Sequence, residues 1–398
     1  MVAAGCGSPD PRTQGGSEGG GLGPGSEEGA PCELEIGCSV GLFCDEGSCA
    51  ACGSDAPAPG KLCFEARTLV SEHPASLEVA HLPASDAVLA DNRGVHVRML
   101  FRDGAGSLRE QVFGASAERL GGELIDLDGD GFDEFSYCSV YDIGKCHVLS
   151  FEMDLLTPYA SVHAGSSGVD GVPPHGAFPG RLLGADYHRE EWRSWLLFSN
   201  GAVEGAPLPI FPTSPVRAGD LDGDGEIEVT APVDDHLDVL ELDAAGIGYE
   251  VVATAPIPVD TELVAVTDLD DDAREEVLLG TPQAQLVIAR LGEDGALTLS
   301  EPIALTLQPN AIAVGDLDGD GRVDLAIKDQ TFLPAEGDPP AFDRILVLAQ
   351  TEPGVFERRY IRYPSDVGSI AIFDVDHDGH MDLVVSGREG IYQMLADP

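Results

Sequence analysis

Short apolar runs alternate with acidic, glycine-containing loops over much of this chain. Residues 310–316 read NAIAVGD and 323–329 read VDLAIKD; 369–374 read SIAIFD and 381–387 read MDLVVSG. Runs of this length, rich in Val and Ile and bounded by Gly and Asp, predict short buried strands. Longer stretches follow with a Gly-containing turn in the middle: LDVLELDAAGIGYEVVATAPI (237–257), LVIARLGEDGALTLSEPI (286–303) and ILVLAQTEPGVFERRYI (345–361). Each predicts a β-hairpin. No apolar period of 3.6 is sustained anywhere, and no run approaches the ~20 residues of a membrane-spanning helix. The pattern predicts an all-β protein rich in turns.

The loops between the paired strands share one spacing. Acids stand at positions 1, 3, 5 and 9 in five of them: Asp126, Asp128, Asp130 and Glu134; Asp220, Asp222, Asp224 and Glu228; Asp268, Asp270, Asp272 and Glu276; Asp316, Asp318, Asp320 and Asp324; Asp374, Asp376, Asp378 and Asp382. Hard oxygen ligands at this density suit Ca²⁺, which takes six to eight oxygens in a flexible shell. Position 7, held by Phe132, Glu226, Arg274, Arg322 and His380, is expected to add its backbone carbonyl. About five ions are expected, with the loop carrying Ala273 at position 6, where the others have Gly, departing from the pattern. An EF-hand opens the same way but requires a Glu at position 12 between two helices. Position 12 here is Tyr137, Ala231, Leu279, Ile327 and Val385, and the flanks are strands, so the EF-hand is excluded.

An acidic D-x-D-x-D-G-x-x-D loop between strands, repeated at this spacing, resembles the FG-GAP/VCBS repeats of integrin-α-type β-propellers over residues 64–398. The resemblance implies four-stranded blades in which each Ca²⁺ loop joins the first two strands. Loops starting at 220, 268 and 316 lie 48 residues apart, the next begins 58 later at 374, and the first precedes 220 by 94. That 94-residue gap leaves room for a degenerate unit around RLLGADYHREEWRSWLLFSNG (181–201), aligned with Asp186 at position 1. A second degenerate unit, beginning SLEVAHLPAS at 76, precedes the first loop. The expected fold is a seven-bladed propeller, six or eight being the alternatives. The last unit stops after its third strand, and FEARTL (64–69), which resembles FERRYI (356–361), is expected to supply the fourth and so close the ring.

Charge and cysteines refine the picture. A formal net charge of −48 argues against nucleic-acid and anionic-lipid partners. Cys32, Cys38, Cys44, Cys49, Cys52 and Cys63 fall in a stretch too small for a core, which predicts a disulfide-stapled module over 32–63 and an oxidising compartment. A zinc site through Cys49 and Cys52 lacks a second pair at matching spacing. Cys138 and Cys146 are expected to cross-link neighbouring strands. Residues 1–31 read as a truncated lipoprotein signal and a Gly/Ser/Glu-rich tether, because AAGC ending at Cys6 resembles a bacterial lipobox. The expected product is a monomeric cell-surface, outer-membrane or secreted protein, touching membrane only through that lipid anchor. No G-x-S-x-G elbow, H-E-x-x-H helix or phosphate-binding Gly loop is present, so no catalytic residue is expected. The functional expectation is a binding or adhesion module for a surface protein or glycan; the alternative is a propeller-type hydrolase or lyase acting on polysaccharide or lipid. Trp192, Trp195, Tyr187 and Tyr141 are candidate sugar-stacking residues, with blade packing as the competing role.

Overall fold

A computed structural model describes residues 38–39, 42–45, 48–51, 62, 64, 68–71, 76–80, 87–92, 96–102, 108–113, 119–131, 133–139, 146–152, 155–162, 169–174, 179–186, 191–198, 201–213, 216–309, 312–332, 342–363, 367–376, 378–387 and 390–396. Among them there is no helix; the regular structure is β throughout. Among the described residues, seven antiparallel sheets, here A to G, are built on four strands each, in chain order in A to F; in sheet E, Ile303–Ala304 also pairs with the third strand. Sheet A holds Ser76–Ala80, Ala87–Asn92, His96–Arg102 and Leu108–Phe113. Sheet B holds Arg119–Ile125, Glu134–Ser139, Cys146–Glu152 and Leu155–Val162. Sheet C holds Val169–Val172, Arg181–Asp186, Glu191–Phe198 and Gly201–Pro207, and sheet D holds Arg217–Gly219, Glu228–Val233, His236–Leu242 and Tyr249–Pro256. Sheet E holds Glu262–Thr267, Glu276–Thr281, Gln285–Leu291 and Leu297–Leu299. Sheet F holds Ile312–Gly315, Asp324–Phe332, Phe342–Glu352 and Val355–Tyr363.

Sheet G is assembled from both ends of the chain. Val367–Phe373, Asp382–Gly387 and Gly390–Met394 pair in order, and the fourth strand is Thr68–Ser71. Its register sets Thr68 against Gln393 and Ser71 against Ile391, and Phe64 bridges to Ala396. Phe64 is buried in the core shared by sheets F and G. The exchanged strand is therefore present, centred slightly later than FEARTL.

Packing explains why the second strands read as continuous apolar runs. In sheets D, E and G the second strand is covered on both faces, so alternation disappears. In sheet E, Val277 and Leu279 join the core with Leu237 and Val239 of sheet D, while Leu278 joins Leu325 and Leu346 of sheet F. The fourth strand of sheet D, at the outside, is exposed at 250–252 and alternates buried and exposed positions from Ala253 on. The same face-to-face packing links C to D, F to G and G to A. Trp192 and Trp195 are buried in these cores, which favours packing over sugar stacking for both. Tyr187 and Tyr141 lie outside the described residues.

Sheet C departs from the expected alignment. Its first two strands are joined by residues 173–180, with Val172 level with Arg181. Sheet D has Gly219 level with Glu228 in the same place, so Arg181 occupies position 9 and Asp186 ends the second strand rather than opening the loop. The apolar run RLLGA misled the alignment because it is the second strand itself. In the cysteine-rich segment, Leu42–Asp45 and Ser48–Ala51 form a hairpin with Cys44 level with Cys49. Cys38–Ser39 pairs in parallel with Ile361–Arg362, so this segment adds to the outer edge of sheet F. Cys6, Cys32, Cys52 and Cys63 lie outside the described residues. Cys138 and Cys146 are level on adjacent strands of sheet B.

Candidate metal centres

All five acidic loops occupy one place in the fold, between the first and second strands of sheets B, D, E, F and G. Their chain reversal is built from their own carboxylates. One oxygen of the position 1 Asp accepts the amide of position 6 in every loop, at 2.8–3.0 Å: Gly131, Gly225, Ala273, Gly321 and Gly379 donate. Position 9 accepts the amide of position 2 at 2.7–3.0 Å, the donors being Leu127, Leu221, Leu269, Leu317 and Val375. Position 2 is a buried apolar anchor in each, at most 4% exposed. Its regular Leu or Val between two Asp residues is visible in the sequence, although the metal-ligand spacing does not include it. Positions 4 and 6 of the Asp220 loop turn through left-handed backbone at Gly223 (φ 79°) and Gly225 (φ 86°), which suits Gly. In the Asp268 loop Asp271 (φ 59°) and Ala273 (φ 67°) take the same conformation with side chains attached.

The fold gathers positions 1, 3 and 9 within 4.8 Å in four loops: Asp126, Asp128 and Glu134; Asp220, Asp222 and Glu228; Asp268, Asp270 and Glu276; Asp374, Asp376 and Asp382. In the fifth it gathers Asp316, Asp318 and Asp320. There the position 9 residue, Asp324, spends both oxygens on backbone amides, of Leu317 and Gln350. Position 5 chiefly closes the turn. Asp224, Asp272, Asp320 and Asp378 accept the amide of position 7 from Glu226, Arg274, Arg322 and His380. Phe132 lies outside the described residues.

Concentrated negative charge marks these clusters. Burial first, then neighbouring acids, push Glu134 and Glu228 up to about 8. Burial also raises Asp324 and Asp382 to about 7. Asp270 Oδ1 and Asp318 Oδ1 are buried with no hydrogen-bond partner. Such an orphaned oxygen is costly unless a cation meets it, so the donor set fits a hard cation. Two loops also hold guanidinium groups: Arg290 lies 3.0 Å from Glu276 and 3.5 Å from Asp270, and Arg359 lies 2.5 Å from Asp318. Sheet C carries its own fixed cation, since Arg181 is buried at position 9 and donates to the carbonyl of Gly246 at 2.6 Å.

The loops are stitched to one another. Glu275 accepts the amide of Asp220 at 2.7 Å, and its own amide donates to the Asp220 carbonyl at 2.8 Å. Gln350, 1% exposed, donates to Leu269 O at 2.6 Å and to Val323 O at 3.1 Å, tying the loops of sheets E and F. Neither residue was singled out from sequence. Gln350 lies 26 positions beyond its own loop, inside an apolar strand with no local signal.

Residues 268–327 match the family model described as FG-GAP-like repeat, a span that includes the loops of sheets E and F. Among solved structures, the chain resembles one titled "Crystal structure of BBS1N in complex with ARL6DN, soaked with mercury". The TM-score is 0.53 at 11% sequence identity, covering 83% of this chain and 95% of that one. At that identity the likeness concerns the β-propeller-like fold alone. No curated protein matches the sequence.

Proposed function

We propose that this FG-GAP repeat protein is a calcium-stabilised, seven-bladed β-propeller, held outside the cytoplasm, that binds a surface protein or glycan. The observation that carries the calcium reading is the recurrence of one carboxylate cluster at one place in five sheets, with position 3 oxygens buried and unpaired in two of them. Positions 1, 3 and 9 would hold the ion, with position 5 taking the place of position 9 in the sheet F loop. An ion bound there supplies positive charge that relieves repulsion among acids packed within 4.8 Å. Asp and Glu side chains already fix the loop geometry through backbone amides, so little reorganisation accompanies binding.

Seven four-stranded sheets in one circuit support the blade count, and the fourth strand of sheet G, drawn from 68–71, acts as its clasp. Cys138 level with Cys146 supports a cross-link in sheet B and an oxidising compartment. The Gly/Ser-rich leader and Cys6 support display of a bacterial type through a lipid anchor. A propeller gathers loops from all its blades on one rim, which suits broad recognition rather than catalysis. A glycan array, run with a pull-down from bacterial envelope extracts, tests the reading. It predicts a glycan or protein bound in Ca²⁺ and released by chelator. Chemical turnover of the bound glycan, or no ligand in either assay, would contradict it.

A further inference from the structure

We infer that the candidate metal centre of sheet G is coupled to the strand that completes that sheet, so that an ion held by Asp374, Asp376 and Asp382 keeps the clasp shut; the inference rests on the calcium reading above. The link is Asp382. Its Oδ2 accepts the amide of Val375 at 2.8 Å, and its Oδ1 accepts the amide of Ala396 at 2.6 Å. Both donors belong to cores that the clasp completes. Val375 lies in the core with Leu77, Phe373 and Ile391, against which Val70 of the clasp strand packs. Ala396 bridges to Phe64 in antiparallel pairing, and it packs against the core in which Phe64 is 3% exposed.

Sheet F has the same tie without the clasp. Asp324 also holds two amides, those of Leu317 and Gln350. Gln350 stands in a third strand that turns directly into its own fourth, Val355–Tyr363. In sheet G the third and fourth strands are joined by pairing and packing alone, with no turn between them. A short strand held this way opens locally at a lower cost than unfolding of the whole domain. When it opens, Phe64 leaves Ala396, and the cover that keeps the Ala396 amide on Asp382 goes with it. Asp382 is then held at one oxygen instead of two, so the open form is less preorganised to grip a cation. An ion that prefers the closed form shifts the clasp toward closure by the ratio of its affinities for the two forms. Closure raises the ion's affinity by the same factor.

Hydrogen exchange at residues 68–71 of the full chain, with chelator and with saturating Ca²⁺, tests this alongside calorimetric titration. Calcium should slow exchange there about fivefold or more, the low end of ordinary coupling between sites. Asp374→Ala, which strips the sheet G site, should abolish the slowing, whereas Asp222→Ala, which strips the sheet D site, should preserve it. Phe64→Ala should weaken the binding of one ion by the factor that calcium lends the clasp. Ala396→Pro removes the amide donated to Asp382 and leaves Phe64 in the chain; it should weaken the same ion, and it keeps the test open where Phe64→Ala fails to fold. Calcium uptake with no change in exchange at 68–71 would overturn the inference and leave the calcium reading standing. So would equal loss of the slowing in Asp374→Ala and Asp222→Ala, or unaltered calcium affinity in both Phe64→Ala and Ala396→Pro. No uptake at all would overturn both.

Discussion

At the residue scale, two kinds of side chain sit in the acidic loops under tension. Ala273 holds left-handed backbone (φ 67°), which costs a residue with a Cβ about 1–2 kcal/mol. Replacing it with Gly frees the unfolded chain by about 0.5–1 kcal/mol, so the strain term wins. Ala273→Gly is expected to raise stability by roughly 0.5–1 kcal/mol in chemical denaturation with chelator present. The position 9 acids carry the second tension. Glu134 and Glu228 are pushed up to about 8 and Asp324 and Asp382 to about 7, burial being the main cause. The folded, ion-free protein then holds more protons than the unfolded chain at any pH between the two sets of values. The contribution of these acids to stability is therefore fully present below about pH 4, shrinks as pH rises above it and is lost once pH passes about 8. Calcium must displace those protons. Affinity should therefore rise from pH 6 to 8, and calorimetry at pH 7 in two buffers of different ionisation enthalpy should register proton release; heats identical in both would contradict this. The ligand positions were legible because they recur at fixed short spacing. Arg290, Arg359 and Gln350 were not, because strand pairing alone brings them to the loops.

At the element scale, the strands were readable wherever a loop punctuated them. Sheets D, E and F follow the 48-residue interval and their hairpins fall where the Gly turns predicted them. Sheet C was misaligned because 173–180 contains no acid, and a strand beginning with buried Arg181 offers nothing that marks it as position 9. The stitching between sheets gives one prediction. Gln350→Leu leaves the carbonyls of Leu269 and Val323 without their side-chain donor, which should cost about 1–3 kcal/mol in chemical denaturation. A loss below about 0.3 kcal/mol would show that water replaces it freely. The clasp gives another. Removing residues 1–60 keeps Phe64 and the strand 68–71, whereas removal through Ser71 strips both and bares the edge of Gly390–Met394. Burial of Phe64 alone is worth about 1.5–3 kcal/mol, so the longer truncation should melt distinctly lower or aggregate. Equal melting of the two truncations would refute the clasp.

At the scale of the whole molecule, a net charge of −48 opposes compaction, and the fold gathers 15 of the 70 acids (5 × 3) into five clusters. On the calcium reading proposed above, a bound cation would convert this liability into a cross-link between the first two strands in sheets B, D, E, F and G. Extracellular modules bind Ca²⁺ with dissociation constants of about 10⁻⁴–10⁻³ M. At roughly millimolar calcium that contributes about 0.4–1.4 kcal/mol per site by linkage. The most direct measurement is thermal unfolding of the full chain with chelator, with Ca²⁺ restored and with Mg²⁺ in its place, alongside calorimetric counting of ions. The account predicts a marked fall in melting temperature on chelation, recovery with Ca²⁺, poor recovery with Mg²⁺ because of its smaller and stricter shell, and one ion fewer in Asp222→Ala. A melting temperature indifferent to chelator, with no calcium taken up, would contradict it.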